Sequence, residues 1–343
     1  MKICFFRHSL LSRGGDKMVV EYANYLHAAG HDVTIYANVV KTVFDVKAKI
    51  KVISLFKGKW ASLIRAVTLA GDFDVIITDI IVMAALCSIN NRGKVLYFAQ
   101  DYDESYYAGS LMKSLIRALY FLCLRIWRVP SVAVSEHLGT LLRRRFKAAV
   151  RVVTNGVDDE MFYPDAGSGY LQLKGAAKVV LVLARSDYRK GFDVALKVLK
   201  RFAEEIEADK IKVWAVGERV ESGIKMHNFG YVPPRLMQKI MSTADVLLYP
   251  TRHEGLPLFV LEAMACGLGV VATEASTILT NMKDSLVCPV EGVDCLYEGL
   301  KKLIIDDNLR ETLRAGANNT VKKYSLKNSK KGFENALLEI FNG

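Results

Sequence analysis

Asp245–Ala272 reads DVLLYPTRHEGLPLFVLEAMACGLGVVA. Asp245–Leu248 is a short apolar strand, stopped by Tyr249-Pro250. Thr251–Leu256 forms a polar loop carrying Glu254 and Gly255. Pro257 suits the opening of a helix that runs to Ala265, and Gly267 suits its end. Leu268–Ala272 is the next apolar strand. A strand, short loop, helix and second strand in so few residues predict a parallel pair with a right-handed crossover.

The same alternation continues outward. Upstream lie a strand at Lys178–Ala184, a helix at Asp193–Glu207 and a strand at Ile211–Val216. The chain opens with a strand at Lys2–Phe6, a polar loop Arg7–Gly15, and a helix N-capped by Asp16. Met18, Val19, Tyr22, Ala23 and Leu26 recur there at helical spacing, and Gly30 ends the run. Asp32–Tyr36, Val75–Thr78, Lys94–Ala99 and Ser131–Ser135 are further strands. Asn155–Gly169 breaks the pattern with Asn-Gly, three consecutive acids and Pro164, which is linker chemistry. Asp294–Gly343 is helical and amphipathic. The expected class is therefore α/β, with two doubly wound Rossmann-like domains, residues 1–157 and 158–327. The last helix, about Asn328–Phe341 within 328–343, is expected to pack back on the first domain. A ligand would sit in a cleft at the carboxyl ends of the strands.

The 343 residues suit two such domains, and 51 % hydrophobic with 24 % charged residues is ordinary globular composition. Six cysteines show no CxxC pair and no clustering with histidine, so neither a disulfide scaffold nor a zinc site is expected, and a reducing compartment is. Met1–Phe6 lacks a secretory leader pattern. Val75–Ile89, the longest apolar run, contains Asp79 and is too short to span a membrane. The net charge of +11 lies wholly in residues 1–157, with 22 Lys+Arg against 11 Asp+Glu; residues 158–343 hold 25 of each. That asymmetry points to one domain facing something acidic, although uneven solubility charge has the same appearance.

Three groups of residues can carry chemistry. Glu254 stands in a loop where it can accept hydrogen bonds from sugar hydroxyls, and Glu262 lies two turns into the following helix. Free N–H groups at that helix start, with Gly255, suit an anion or hydroxyl. An acid of a first helical turn plus a solvent-facing acid is the plainer alternative. Arg185 ends a strand and Lys190 follows within a short loop, a pair suited to a diphosphate; Arg189 reads as surface charge. Gly14-Gly15 lets the backbone approach a phosphate at a helix start. Gly267-Leu-Gly269-Val-Val-Ala272 spells GxGxxA but opens a strand, the wrong context for a dinucleotide. Asp72-Phe-Asp74 and Asp101-Tyr-Asp103 spell DxD, a tripeptide common by chance, and the six histidines show no ligand spacing; no metal is expected.

Taken together, these motifs resemble the family 4 (group 1, retaining) glycosyltransferases of the GT-B fold. EGLPLFVLEAMACG carries the family's Glu-x7-Glu spacing. Thr154-Asn-Gly-Val-Asp158 with Phe162 and Pro164, VLARSDYRKG, and Phe229-Gly230-Tyr231-Val232 followed by Ala244-Asp245 match further elements in order. SRGGDK with Ala29–Val33 matches the amino-terminal element. The resemblance implies that Arg185 and Lys190 neutralise the donor diphosphate, with Glu254 as the third catalytic residue. Glu254, Gly255 and Leu256 would hold the donor sugar and Glu262 the ribose. Val232 would bond the base through its backbone, and Gly14 and Gly15 would close on the phosphates. The first domain would take the acceptor and the second the nucleotide sugar, with no cofactor. Gly269 stands where the family usually has proline, and the usual loop after VVAT is replaced by Glu274–Ile278. Many relatives carry a histidine where this chain reads Phe98-Ala-Gln100-Asp101, leaving Gln100 and Asp101 as candidate sugar contacts. The FAQDYDESYY run is faintly similar to bacterial rhamnosyltransferases of the family.

Leu111–Arg128 is apolar with Lys113, Arg117, Arg128 and Arg125 within about 120° of one another at helical spacing. With Arg143–Arg145 and Lys147 it suits an anionic membrane surface, although such a helix also packs on its own sheet. The expected function is retaining glycosyl transfer to a glycan or lipid-linked acceptor in cell-surface polysaccharide or lipopolysaccharide-type assembly, by a cytoplasmic, membrane-peripheral enzyme. A nucleotide-sugar epimerase and a non-catalytic polyanion-binding protein are the rivals; nucleic acid is not expected as a partner.

Overall fold

The computed structural model describes residues 1–54, 56, 58–69 and 71–341. Asn342 and Gly343, the end of the expected helical stretch, lie outside them. In chain order the first elements are β1 (Lys2–Phe6), β2 (Ser9–Leu10), α1 (Gly14–Ala28), β3 (Asp32–Ala37), β4 (Val39–Val40) and β5 (Lys49–Val52). Next come α2 (Lys59–Thr68), β6 (Val75–Thr78), α3 (Ile81–Asn90), β7 (Val95–Ala99), α4 (Ser110–Tyr120), β8 (Ser131–Ala133), α5 (Glu136–Phe146) and β9 (Val150–Val152). After Asn155 follow α6 (Ser168–Lys174), β10 (Lys178–Ala184), α7 (Phe192–Lys200), α8 (Ala203–Glu207), β11 (Ile211–Gly217) and β12 (His227–Asn228). The chain then runs through α9 (Pro234–Thr243), β13 (Val246–Tyr249), α10 (Leu258–Ala265), β14 (Gly269–Thr273), β15 (Leu286–Cys288), α11 (Val293–Ile305), α12 (Asp307–Val321) and α13 (Leu326–Phe341).

Two compact units result, Met1–Asn155 with Lys327–Gly343, and Gly156–Leu326. The first holds a parallel sheet in the order β5-β3-β1-β6-β7-β8-β9. The second holds a parallel sheet in the order β12-β11-β10-β13-β14-β15. In both, the chain winds outward from a central strand and then reverses to its other side. The reversal lies between β1 and β6 in the first unit and between β10 and β13 in the second. Carboxyl ends of strands at such a reversal leave a crevice, because the two crossovers depart in opposite directions.

The central strands β6, β7 and β13 are buried along their whole length, which is why they read as unbroken apolar runs. Helix α13 completes the core of the first unit. Phe333 stacks on Tyr22 with ring centroids 4.2 Å apart and meets Phe98 edge-on. The Tyr22 hydroxyl lies 2.9 Å from Asn155 Oδ1 and 2.7 Å from Ser329 Oγ.

Several local expectations are corrected. Helix α1 is capped at Arg13, so Asp16 is its third residue and accepts the Arg13 N–H at 3.2 Å. The expected helix Asp193–Glu207 breaks at Arg201–Phe202 into α7 and α8. Cys288 and Cys295 form a disulfide across seven residues, where the spacing had given no pair; they meet because β15 ends beside the start of α11. Val75–Ile89, read as too short to span a membrane, is strand β6 plus part of α3, and no helix of the described residues is long and apolar enough to cross a membrane.

Candidate functional site

In the second unit, β10 delivers Arg185 and β13 delivers Thr251–Glu254 to the two sides of the strand-order reversal. Between β10 and α7 the chain makes a single tight turn, Tyr188–Lys190. Gly191 follows at φ +66°, and a Cβ there would lie 1.8 Å from the Pro250 carbonyl oxygen. Only glycine lets the Lys190 loop touch the end of β13. Lys190 Nζ then reaches both oxygens of Glu254, at 2.8 and 3.0 Å. The Tyr249 hydroxyl donates to Glu254 Oε1 at 2.6 Å. The Thr251 hydroxyl stands 3.0 Å from that oxygen and 2.9 Å from the Arg189 carbonyl, one of which takes its proton. Burial, reinforced by the Glu254 charge, holds the Tyr249 phenol well above its ordinary value, so it stays a donor.

The structure thus brings Lys190 and Glu254 together as a buried ion pair; the Glu254 side chain is 7 % exposed. Arg185 is paired separately, its Nε 3.1 Å from Glu218 Oε1 without hydrogen-bond alignment. Glu218 also accepts the Ser186 N–H at 2.8 Å. Gly255 and Leu256 are buried and lead into α10, which carries the buried Glu262. Val232 is half-buried between β12 and α9. Arg189, read from sequence as surface charge, is instead half-buried and paired with Asp187 (Nη2–Oδ2 2.6 Å), and its carbonyl accepts the Arg252 N–H.

In the first unit, Gly14 and Gly15 form the start of α1 above a buried polar cluster. Arg7 Nη2 lies 2.9 Å from Asp16 Oδ1 and 3.0 Å from Asp79 Oδ2. Gln100 Nε2 donates to Asp79 Oδ2 at 2.9 Å and to the Gly15 carbonyl at 3.1 Å. Arg7, Asp79 and Gln100 follow β1, β6 and β7, three neighbouring strands, so their side chains converge under the glycine loop. Burial raises the Asp79 carboxyl above the usual range, against the pull of Arg7. Gln100, a candidate sugar contact, is here a support for Gly15. Asp101 Oδ1 accepts the Tyr102 N–H at 2.8 Å.

The two DxD tripeptides have other roles. Asp103 accepts the Ile81 N–H at 2.6 Å at the start of α3, and burial pushes its carboxyl up to about 8. Asp72 pairs with Lys2, and Asp74 accepts the Lys2 N–H at 2.7 Å.

Of the four basic residues assigned to one helix face, Arg117 is turned to Glu104, at 2.6 Å for Nη2 and 3.2 Å for Nε. Lys113 is half-buried, and Arg125 and Arg128 are exposed. Helix α4 continues as a π-helical turn, Phe121–Ile126, and buries only Ile116, Tyr120, Cys123 and Leu124. Its outward face is apolar instead: Leu111 is 85 % exposed, with Leu115, Phe121 and Ile126 each more than half exposed.

Glu218, Tyr249, Arg7 and Asp79 were not singled out in the sequence. Each ends or directly follows a strand at a reversal or, for Glu218, the strand next to one, which is the signal that could have found them.

Comparison with known proteins places this geometry. The model of glycosyltransferase family 4 matches residues 12–161, and that of group 1 glycosyl transferases matches residues 177–306. An uncharacterized glycosyltransferase of Haemophilus influenzae is 26 % identical over 90 % of this chain and 92 % of its own length. The O-antigen chain mannosyltransferase B of Escherichia coli is 29 % identical over 34 % of this chain and 31 % of its own. Among solved structures, WaaG, a glycosyltransferase involved in lipopolysaccharide biosynthesis, aligns with TM-score 0.80 at 17 % identity over 99 % of this chain and 100 % of its own. Anabaena HepE in complex with UDP-glucose aligns with TM-score 0.80 at 16 % identity over 99 % and 100 %. With both family models matched in order and the GT-B fold shared along its length, the chain belongs to the family 4, group 1 glycosyltransferases.

Proposed function

We propose that the protein is a retaining, metal-independent transferase that moves a hexosyl or deoxyhexosyl unit from a nucleotide sugar to a glycan or lipid-linked acceptor in cell-surface polysaccharide assembly. The observation that carries this reading is the Lys190–Glu254 pair, braced by Tyr249 and Thr251 beside Arg185 at the strand reversal of the second unit. The relatives support it in kind: one named for O-antigen mannosyl transfer, one for lipopolysaccharide biosynthesis, one solved with UDP-glucose.

Transfer breaks the bond between the sugar's anomeric carbon and the donor phosphate oxygen, and negative charge grows on the leaving diphosphate. Lys190 and Arg185 are the positioned cations for that charge, and the positive end of α10, with Gly255 and Leu256, faces donor oxygens. Glu254 holds sugar hydroxyls while fixing Lys190, Glu262 holds the ribose, and the Val232 backbone takes the base. The first unit takes the acceptor. The carboxylates of both DxD tripeptides are engaged by Ile81, Lys2 and Tyr102, which supports protein cations in place of a metal.

The apolar outward face of α4, with Arg125 on it, supports seating on the anionic inner face of the cytoplasmic membrane. Sedimentation with phosphatidylglycerol vesicles checks this: Leu115→Asp with Phe121→Asp should abolish pelleting seen for the wild type, and equal pelleting contradicts it.

Incubating the enzyme with UDP-, GDP- and dTDP-sugars plus membrane glycolipid, then reading the product's anomeric configuration by NMR, tests the reaction. The proposal expects a glycosylated lipid with the donor's configuration in the presence of EDTA. Inversion, or an altered free sugar without acceptor, contradicts it.

A further inference from the structure

Arg252 stands between Thr251 and Glu254 and takes no place in the family motifs discussed above. Its side chain is 9 % exposed, and its guanidinium is spent on three separate pieces of the second unit. Nη1 and Nη2 grip the two oxygens of Asp193, in the first turn of α7, at 2.7 Å each. Nη1 also donates to the Tyr188 carbonyl at 2.6 Å, and the guanidinium lies 3.8 Å over the Tyr188 ring. Nε donates to Glu291, in the turn between β15 and α11. The Arg252 backbone N–H donates to the Arg189 carbonyl at 2.7 Å. Thus the residues on either side of Lys190 in the chain are tied, from both directions, to the segment that carries Glu254.

Glu291 has an unusual backbone, with φ +64°, and lies within the loop that the Cys288–Cys295 disulfide closes. Its reach to Arg252 is therefore set by a turn closed at both ends. The paired charges hold the Arg252 guanidinium above its ordinary value and the Asp193 carboxyl below the usual carboxylate range, so both stay ionised. A fork with donors on three nitrogens and a flat face for an aromatic ring is what this place uses, and lysine offers neither.

We infer that Arg252 is a positioning residue of the donor site, which locks the Lys190 turn, α7 and the β15–α11 turn to the Glu254 loop so that Lys190 is presented to the donor's terminal phosphate. The inference rests on the reading of Lys190 as a diphosphate ligand. Arg252 itself touches no donor atom: its nitrogens are committed to protein acceptors.

The test compares two ligands on one protein. Calorimetry of UDP against UMP, GDP against GMP and dTDP against dTMP isolates what the terminal phosphate adds to affinity. In the wild type, the diphosphate of one base should bind more tightly than its monophosphate. Arg252→Gln should reduce that ratio by about tenfold, as Lys190→Ala should, with the monophosphate bound as before. Arg252→Lys should behave like Arg252→Gln; full rescue by lysine would show that charge alone matters and overturn the inference. A ratio unchanged in Arg252→Gln overturns it as well, whatever happens to Tm. Should Arg252→Gln fail to fold, Asp193→Asn and Glu291→Gln each remove one anchor from an intact Arg252. A smaller ratio in both supports the inference, and an unchanged ratio in both overturns it. If the wild type binds no nucleotide, the donor-site reading fails first, an outcome distinct from all of these.

Discussion

Glu254 accepts from Lys190 and Tyr249 at once, with the Thr251 hydroxyl beside it, so its carboxylate is oriented before any ligand arrives. Removing Lys190 takes away the cation proposed for the donor phosphate and leaves that carboxylate short of its counter-ion. Lys190→Ala should lower kcat by about 100-fold or more, read by steady-state transfer assays; a change under threefold would contradict the role. Gly15 offers a cleaner probe of the first unit, because a Cβ there would come within 3.0 Å of Gln100 Oε1. Gly15→Ala should lower kcat/KM, and adding Gln100→Ala should recover part of the loss by making room. Strict additivity in that double-mutant cycle would show that the contact is not what matters. At this scale the sequence pointed to Arg185, Lys190, Glu254, Glu262 and the two glycines as candidates, because their residue types and local spacing carry the signal. It did not yield Glu218, Arg252, Arg7 or Asp79. Their meaning comes from which strands are neighbours, and neighbourhood in a parallel sheet is set by crossovers rather than by adjacency in the chain.

Elements place these residues, and their ends are where the sequence was least legible. Capping by Arg13 instead of Asp16 begins α1 earlier, so that Gly14 and Gly15 are helical residues with N–H groups at the positive end. The basic face read into Leu111–Arg128 keeps Arg125 and Arg128 exposed, but a contact that periodicity does not contain engages Arg117: Glu104, on a separate turn, pairs with it, and that hydrogen bond lowers the Glu104 carboxyl below its ordinary value. Next to it, Asp103 caps α3 from a fully buried position and is pushed up to about 8. Its unfolded value is about 3.9. Between the two, the folded chain holds a proton that the unfolded chain does not, so stability falls as pH rises, by up to about 1.4 kcal/mol per pH unit. Asp79 is raised as well and adds in the same direction. Asp103→Asn keeps an acceptor for the Ile81 N–H and removes this proton. Urea unfolding between pH 5 and 7.5 should show a shallower decline for the variant; identical slopes would contradict the assignment.

Over the whole molecule, strand–helix alternation was enough to anticipate parallel sheets, since buried parallel strands leave long apolar runs and short polar loops. The return of α13 to the first unit appears in the packing of Phe333 on Tyr22 and Phe98, and Phe333→Ala should cost about 3–5 kcal/mol, checked by chemical denaturation. Charge follows the same division: the excess of +11 belongs to residues 1–157, and residues 158–343 are neutral. A neutral second half that nevertheless gathers Arg185, Lys190 and the start of α10 at one strand reversal concentrates charge locally, which is what the proposed diphosphate site requires. The most direct test of the account is calorimetric titration of UDP-, GDP- and dTDP-sugars, with and without EDTA, into the wild type and Glu262→Ala. The account predicts micromolar binding of one nucleotide class, unchanged by EDTA and weakened by the substitution. Binding of none of them, or binding that EDTA abolishes, would contradict it.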